Sequence, residues 1–199
     1  MNHDLTHETQ YVRGHRIDFD PESYQYLVDG KPVLSVSQIC KLENPEMYQG
    51  VDQVTLKRAA DKGQGLHEEI ENYEKLGIES QSLEFKNYLR IKSRLGFKKE
   101  MTESIVLIKI DHHVVCAGRF DLLATIQNEH LLIDFKRTRE IHKKYVTLQL
   151  NLYRLGLKQC FQKEINRLMM IRLRGNEANI IEIDVNEEET LKLLKKYID

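Results

Sequence analysis

The chain has 199 residues, of which 41% are hydrophobic and 31% charged, and its formal net charge at pH 7 is −1. This length predicts one domain over residues 1–199, and the composition is that of a soluble globular protein rather than a disordered one. The sequence has no apolar run of about eighteen residues and no basic-then-apolar start, so it predicts neither a membrane span nor a signal peptide, with the cytoplasm as the default compartment. It also lacks the overall basic excess that is typical of nucleic-acid-binding proteins.

The first elements predicted along the chain are an arm, a hairpin and a short helix. Residues 1–20 show no clear periodicity and predict a loosely ordered N-terminal arm. Residues 23–34 alternate apolar and polar side chains around an Asp-Gly pair, which predicts a β-hairpin because glycine tolerates the positive φ of a tight turn. A short helix follows, capped by Ser35 or Ser37 and running through Cys40 to Leu42, and Pro45 prevents its continuation.

The later elements alternate between helical and strand periodicity. Spacings of three and four between apolar residues predict helices, at residues 54–76, 82–95 and 143–160 and from residue 187 onward. Segments rich in β-branched and aliphatic residues predict strands, at residues 103–110, 113–126, 131–135, 167–173 and 180–185. This order predicts an α/β (α+β) fold in which helices flank a central mixed β-sheet.

Two neighbouring predicted strands each carry an aspartate among apolar residues, Asp121 and Asp134. A carboxylate buried without a partner is costly enough that it neutralises, pairs or binds a metal. Lys136 lies two residues beyond Asp134 and points to the same face. Such a group suits Mg²⁺ or Mn²⁺, and the lysine could hold an attacking water or stabilise a phosphoryl oxygen. A structural ion pair between Lys136 and one aspartate is the alternative interpretation.

Three further polar residues lie on predicted helices. Gln149 and Tyr153 stand four apart and share an otherwise apolar side of their helix, where a glutamine needs a hydrogen-bond partner. Small residues one and two turns before His67, Gly63 and Ala60, allow a close approach of this helix to the sheet. The imidazole could then reach a metal held by the strand carboxylates. An ordinary core histidine and a core glutamine satisfied by backbone groups are the alternatives.

The residues form an ordered series of four motifs: Gly63-x-x-x-His67, Gly118-x-x-Asp121, Asp134-Phe135-Lys136 and Gln149-x-x-x-Tyr153. The series resembles the PD-(D/E)XK nuclease superfamily, specifically its RecB-type exonuclease branch, which includes phage exonucleases and the mitochondrial genome-maintenance exonuclease. The resemblance covers residues 35–153. It implies a restriction-endonuclease-like core and a metal-dependent DNA exonuclease that hydrolyses phosphodiester bonds.

The resemblance also implies roles for individual residues. The implied ligands of one or two Mg²⁺ or Mn²⁺ ions are His67, Asp121, Asp134 and the carbonyl of Phe135, with Glu103 as an additional acidic member. The implied catalytic residues are Lys136, Asp121 and Asp134, and the residues implied to position DNA are Gln149 and Tyr153. Some relatives carry a four-cysteine iron–sulfur cluster, but three scattered cysteines cannot supply one, so none is expected.

Basic residues are unevenly distributed despite the near-neutral total. They concentrate at residues 136–144 and again at residues 86–99. Such segregation permits a cationic groove for DNA phosphates, although a solvated charged face is the plainer interpretation. The predicted phosphate contacts of the first segment are Arg137, Arg139, Lys143 and Lys144.

The resemblance therefore leads us to expect a deoxyribonuclease in phage or bacterial DNA recombination or repair, in the cytoplasm of a bacterial or phage-infected cell. An endonuclease that uses the same site, or a catalytically silent DNA-binding accessory protein of recombination, are the alternatives. DNA is the expected partner, and a strand-annealing recombination protein and a homo-oligomer remain open. Strand polarity and strand preference are not predicted.

Overall fold

The computed structural model of the protein describes residues 8–21 and 23–198. Within these residues, nine strands form one mixed sheet that is flanked by five α-helices. This confirms the predicted α/β fold with a central mixed sheet. No helix in the described part of the chain has both the length and the apolarity to cross a membrane.

The elements follow the predicted order. The strands are β1 (Glu8–Val12), β2 (His15–Asp20), β3 (Gln25–Val28), β4 (Lys31–Ser35), β5 (Lys98–Ile110), β6 (His113–Ile126), β7 (Glu129–Lys136), β8 (Arg167–Arg174) and β9 (Glu177–Ile183). The helices are α1 (Val36–Leu42), α2 (Gln53–Leu76), α3 (Leu83–Leu95), α4 (Lys143–Phe161) and α5 (Glu187–Leu194), with 3₁₀ helices at Pro45–Tyr48 and Lys195–Tyr197. The predicted helices agree with these bounds to within two residues where both ends were predicted, and the short helix ends at Leu42 as predicted.

The loosely ordered arm predicted over residues 1–20 is wrong for residues 8–20. These residues form β1 and β2, which pair antiparallel with each other, and β2 also pairs with β3. Ile17 and Phe19 are buried and alternate with charged or polar neighbours, so the period of two was present but obscured by charge. The rest of the predicted arm, residues 1–7, lies outside the described residues.

Strand β6 is the centre of the sheet, and its two edges differ. On one edge, β5 pairs antiparallel along most of the strand. The other edge is shared, because β4 pairs in parallel at Cys116 and Ala117 whereas β7 pairs antiparallel from Leu122 onward. No described strand pairs with this edge between Ala117 and Leu122, and Asp121 lies in this gap.

Gly118 allows two helices to approach the gap in β6. A Cβ at this position would lie 2.8 Å from a ring carbon of Tyr153 on α4 and 2.8 Å from a methyl carbon of Val36 on α1, which is closer than non-bonded carbons pack. Helix α1 begins directly after β4, where the Ser35 side chain accepts the Gln38 N–H in a capping box. The sequence thus places both helices against the central strand beside Asp121.

The sheet separates two apolar cores. One core contains residues of α1, α4, α5 and β1–β3 and defines the α4 face, and the other contains residues of α2 and α3 and defines the α2 face. Along β7, Leu132 belongs to the α4 face whereas Leu131 and Ile133 belong to the α2 face, as strand alternation requires. The close approach that Gly63 would allow is not made there, because a Cβ at this position would meet nothing within 4 Å.

Candidate metal-binding and catalytic site

Three of the predicted ligands lie together at the gap in β6. His67 from α2, Glu103 from β5 and Asp121 from β6 offer ligand atoms within 4.8 Å of one another, and we call them the acidic trio. The Nδ1 of His67 lies 3.4 Å from Asp121 Oδ1 and 3.8 Å from Glu103 Oε1. The imidazole is the most accessible member, with 29% of its side chain exposed, so an ion in solvent can reach the trio.

A backbone carbonyl orients the imidazole of His67. Its Nε2 lies 3.1 Å from the carbonyl oxygen of Phe135, and only a protonated nitrogen can donate to a carbonyl. The hydrogen is therefore assigned to Nε2, which leaves Nδ1 facing the two carboxylates. Metal-binding histidines are commonly held this way. The Phe135 carbonyl, which was predicted to be a ligand, accepts this hydrogen bond and so holds the imidazole beside the two carboxylates.

Asp121 has hydrogen-bond or charged partners on several sides. Its Oδ2 accepts the backbone N–H of Phe135 at 2.6 Å, just beyond the point where pairing of β6 with β7 ends, and its own carbonyl accepts the Thr102 hydroxyl at 2.8 Å. Burial raises the pKa of Asp121, but the nearby His67, Lys136 and the Phe135 N–H outweigh it and lower the pKa below its usual value. Asp121 is therefore ionised at neutral pH.

Glu103 has an unusual backbone conformation. Its φ is +46°, although its neighbours Thr102 and Ser104 pair regularly with Leu122 and Phe120 on β6. This places Glu103 opposite Asp121 in the β5–β6 register. A non-glycine residue in the left-handed region costs about 1–3 kcal/mol, and such residues are concentrated at functional sites. The Glu103 carboxylate lies within reach of His67 and Asp121.

The trio has the electrostatics of a cation site. Burial lowers the pKa of His67, but the carboxylates of Asp121 and Glu103 raise it well above its usual value. Burial raises the pKa of Glu103, His67 opposes this change, and Asp121 adds to it. Two carboxylates in one place favour a positive charge between them, which a protonated imidazole or a divalent cation can provide.

Asp134 and Lys136 form an ion pair on the α4 face. The Lys136 Nζ donates to Asp134 Oδ1 at 2.7 Å, whereas Oδ2 is equally near but receives no hydrogen bond among the described residues. Burial raises the pKa of Asp134 to about 6, although Lys136 opposes the rise. Burial lowers the pKa of Lys136, but Asp134 and Asp121 raise it above its usual value, so the ammonium persists.

The ion pair anticipated as an alternative is therefore present. Asp134 is 1% exposed, and both of its oxygens lie 2.7 Å from the Lys136 ammonium, although only Oδ1 receives a hydrogen bond from it. It does not belong to the group of ligand atoms within 4.8 Å that defines the acidic trio, although it was predicted as a ligand beside Asp121. The two aspartates still interact, since the charge of Asp121 raises the pKa of Asp134.

Gln149 and Tyr153 lie on α4, where the charge of Asp134 acts on Tyr153. They are 6% and 4% exposed, so neither has a large surface open to solvent. The Gln149 Oε1 is buried and has no hydrogen bond within the described residues, which differs from the alternative of a glutamine satisfied by backbone groups. Burial raises the pKa of Tyr153 well above its usual value, and Tyr26, Asp121 and Asp134 add to the rise.

The four predicted phosphate contacts fall into two classes. Arg137 donates its Nε and Nη2 to Glu84 at 3.1 and 2.9 Å, so its guanidinium already has an acidic partner. Arg139 and Lys144 are exposed, and Lys143 has 60% of its side chain exposed with Asp184 3.7 Å away. Only the latter three present their charge to solvent.

Arg172 is a residue of the site region that the sequence did not reveal. It pairs in register with Lys136 on the neighbouring strand, and it donates to the carbonyls of Thr138 and Arg139 at 2.8 and 3.0 Å. It therefore holds the segment that leads from Lys136 to α4. In the sequence it is one of three arginines in β8, and nothing local distinguishes it from the other two.

Comparisons with known proteins give little for this chain. No protein-family model matches it, and no curated protein matches it. The solved crystal structure of SSO0001 is similar over 83% of this chain and 74% of its own, with 16% sequence identity and a TM-score of 0.47. A likeness at this level assigns no activity.

Proposed function

We propose that the protein is a metal-dependent deoxyribonuclease of the PD-(D/E)XK superfamily, which removes nucleotides from DNA ends in recombination or repair. One observation carries the proposal: two charged groups adjoin across a single hairpin. The acidic trio meets β6 at Asp121, and the Asp134–Lys136 pair lies on β7. They are linked where the Phe135 N–H reaches Asp121 at 2.6 Å. Phosphodiester hydrolysis uses such an arrangement, because it needs charge stabilisation beside an activated water.

The side chains of the trio fit Mg²⁺ or Mn²⁺. Carboxylate oxygens are the ligands that these hard ions prefer, and imidazole is acceptable to first-row transition ions. His67 offers Nδ1 to the same region as Glu103 and Asp121, since its Nε2 is occupied by a carbonyl. When bound, a divalent ion supplies a Lewis acid next to the phosphate.

Lys136 would donate to the substrate. Its ammonium has three N–H donors, and the contact with Asp134 uses one of them. The remaining donors can hold a phosphoryl oxygen or the attacking water. Because the pKa of Lys136 is raised, the residue serves as a cationic donor rather than as a base.

A buried acceptor on α4 supports a polar ligand at this site. Gln149 Oε1 receives no hydrogen bond among the described residues. Buried acceptors normally have a partner, so a water molecule or a hydroxyl or amino group of a nucleotide would complete it. The exposed Arg139, Lys143 and Lys144 would contact DNA phosphates nearby.

Digestion of DNA tests this function. Linear single- and double-stranded DNA, labelled at the 5′ or 3′ end, should be degraded with Mn²⁺ or Mg²⁺ and should survive with a chelator. Lys136→Ala and Asp121→Asn should lower the rate by roughly 10²-fold or more. Lys196→Ala, which removes an exposed ion pair with Glu43, should match the wild type.

The outcomes also separate the alternatives. Equal digestion by the wild type, Lys136→Ala and Asp121→Asn would contradict the proposed site. Cleavage of covalently closed circular DNA would favour an endonuclease, whereas its resistance favours an enzyme that needs an end. Strong DNA binding without metal-dependent cleavage would favour the silent accessory protein.

A further inference from the structure

A small pocket opens beside Lys136 on the α4 face. It has a volume of about 170 Å³ and combines apolar and polar lining. Met47, Val146 and Met170 form the apolar part. The polar part comes from Lys136 itself and from the segment that Arg172 holds, including Thr138 and His142.

The position of the pocket relates it to the proposed chemistry. Lys136 is at once a wall of the pocket and the partner of Asp134. A phosphate held by the Lys136 ammonium would therefore lie against the pocket, and the pocket would receive a group covalently attached to that phosphate. In DNA that group is a nucleoside.

The volume limits what the pocket can hold. An apolar protein cavity of about 150 Å³ takes up one benzene molecule. The 170 Å³ next to Lys136 is thus sufficient for one ring-sized group and too small for two stacked nucleotides. Methionine side chains are flexible and polarisable and pack well against aromatic rings. The hydroxyl of Thr138 and the imidazole of His142 add donors for a base edge.

We infer that this pocket binds the base of the terminal nucleotide of the DNA strand that is being cut. The inference rests on the proposed nuclease function and deepens it, because a pocket for one base selects a strand end over an internal position. A continuous strand would have to unstack and turn a base into the pocket at every cut, whereas a terminal nucleotide has only one neighbour to leave.

The substrate arm of the test uses the wild-type protein. Three oligonucleotides are compared: an ordinary one, one with an abasic residue at the attacked end, and one with the same abasic residue ten positions inward. The terminal abasic residue should slow the first cleavage by about tenfold or more at limiting substrate, because the base contact is lost. The internal one should leave the first cleavage unchanged.

The second part of the test compares two variants of the protein, of which only one fills the pocket. Met47→Trp places an indole in the pocket, whereas Glu46→Trp puts the same side chain on the exposed side of the same 3₁₀ helix. Met47→Trp should cut ordinary DNA as slowly as the wild type cuts the terminally abasic DNA. On the terminally abasic DNA, Met47→Trp and the wild type should cut at the same rate. Glu46→Trp should behave like the wild type.

The outcomes distinguish this inference from the proposed function. Equal first-cleavage rates on ordinary and terminally abasic DNA overturn the pocket assignment while leaving the nuclease intact. Dependence on a terminal phosphate alone, with no dependence on the base, also overturns it. A wild type that cuts none of the oligonucleotides with Mn²⁺ overturns the nuclease itself.

Discussion

The two aspartates of the central hairpin are the same residue type on adjoining strands, yet their surroundings are opposite. Asp121 receives a backbone N–H and faces an imidazole, and its pKa is lowered. Asp134 is more deeply buried, and its single cationic partner does not stop burial from raising its pKa to about 6. The difference shows that several groups hold Asp121 as an anion, whereas the ionised form of Asp134 is supported chiefly by Lys136.

The largest expected effect on stability comes from Lys136. Lys136→Met leaves Asp134 buried without its cation and should lower the free energy of unfolding by about 3 kcal/mol in metal-free protein. Adding Asp134→Val should restore most of this loss, because no charge then stays buried. Asp121→Asn should cost less, about 1–2 kcal/mol. Urea denaturation in the presence of a chelator measures the free energy of unfolding of each variant. A double variant whose loss equals the sum of the two single losses would contradict the pairing of Lys136 with Asp134.

Two glycines provide a matched test of the Asp121 side. A Cβ at Gly118 would lie 2.8 Å from the Tyr153 ring, and one at Gly156 would lie 2.7 Å from Val106. Gly118→Ala and Gly156→Ala should therefore each cost about 1–3 kcal/mol by overpacking. Only Gly118→Ala should also slow DNA cleavage, since it displaces Tyr153 beside Asp121. The cleavage rate is measured well below the melting temperatures of both variants. Equal decreases of the cleavage rate in Gly118→Ala and Gly156→Ala would refute a role for Tyr153.

Arg172 and Arg167 test the Asp134 side, since both lie on the strand next to β7. Arg172→Ala leaves the carbonyls of Thr138 and Arg139 without a donor and should cost about 1 kcal/mol or more. It should also raise the KM for DNA more than it lowers kcat, because the segment after Lys136 loses its hydrogen bonds from Arg172. Arg167→Ala removes only a pair with Glu182 and should change neither. A pure loss of stability in Arg172→Ala would contradict the positioning role.

The smallest expected effect concerns the basic segment that follows Lys136. Arg139 is exposed, whereas Arg137 is paired with Glu84. Arg139→Gln should reduce the slope of log binding constant against log salt by about 1, as expected for one phosphate contact. Arg137→Gln should leave that slope unchanged. Fluorescence anisotropy of labelled DNA at several salt concentrations gives both slopes, and the reverse order would assign the phosphate contact to Arg137.

Much of the fold could be predicted because it depends on local periodicity. Residues 113–126 form the predicted strand β6, and the later helices begin and end near their predicted residues. The strands β1 and β2 were missed because charged residues flank Ile17 and Phe19. The predictable part of the site likewise consists of residues with a fixed spacing, such as Asp134 and Lys136, which strand alternation places on one face.

The rest of the site depends on contacts between distant segments. The left-handed backbone of Glu103 and the hydrogen bond from His67 to the Phe135 carbonyl arise from the register of β5 with β6 and the packing of α2. Glu84 and Arg172 act on partners more than thirty residues away in the chain. No local pattern encodes such pairs, so the sequence alone could not assign Arg137 to an ion pair rather than to DNA.

Titration calorimetry with Mn²⁺ tests the central claim most directly, because it measures the ion at the acidic trio without requiring a DNA substrate. The wild type and Lys136→Ala should bind Mn²⁺ with similar affinity, whereas Asp121→Asn should weaken binding at least tenfold, on the order of the losses seen at metal sites. Glu129→Gln, an exposed change at the other end of β7, should leave binding unchanged. Absence of Mn²⁺ binding by the wild type, or equal binding by Asp121→Asn, would contradict the account.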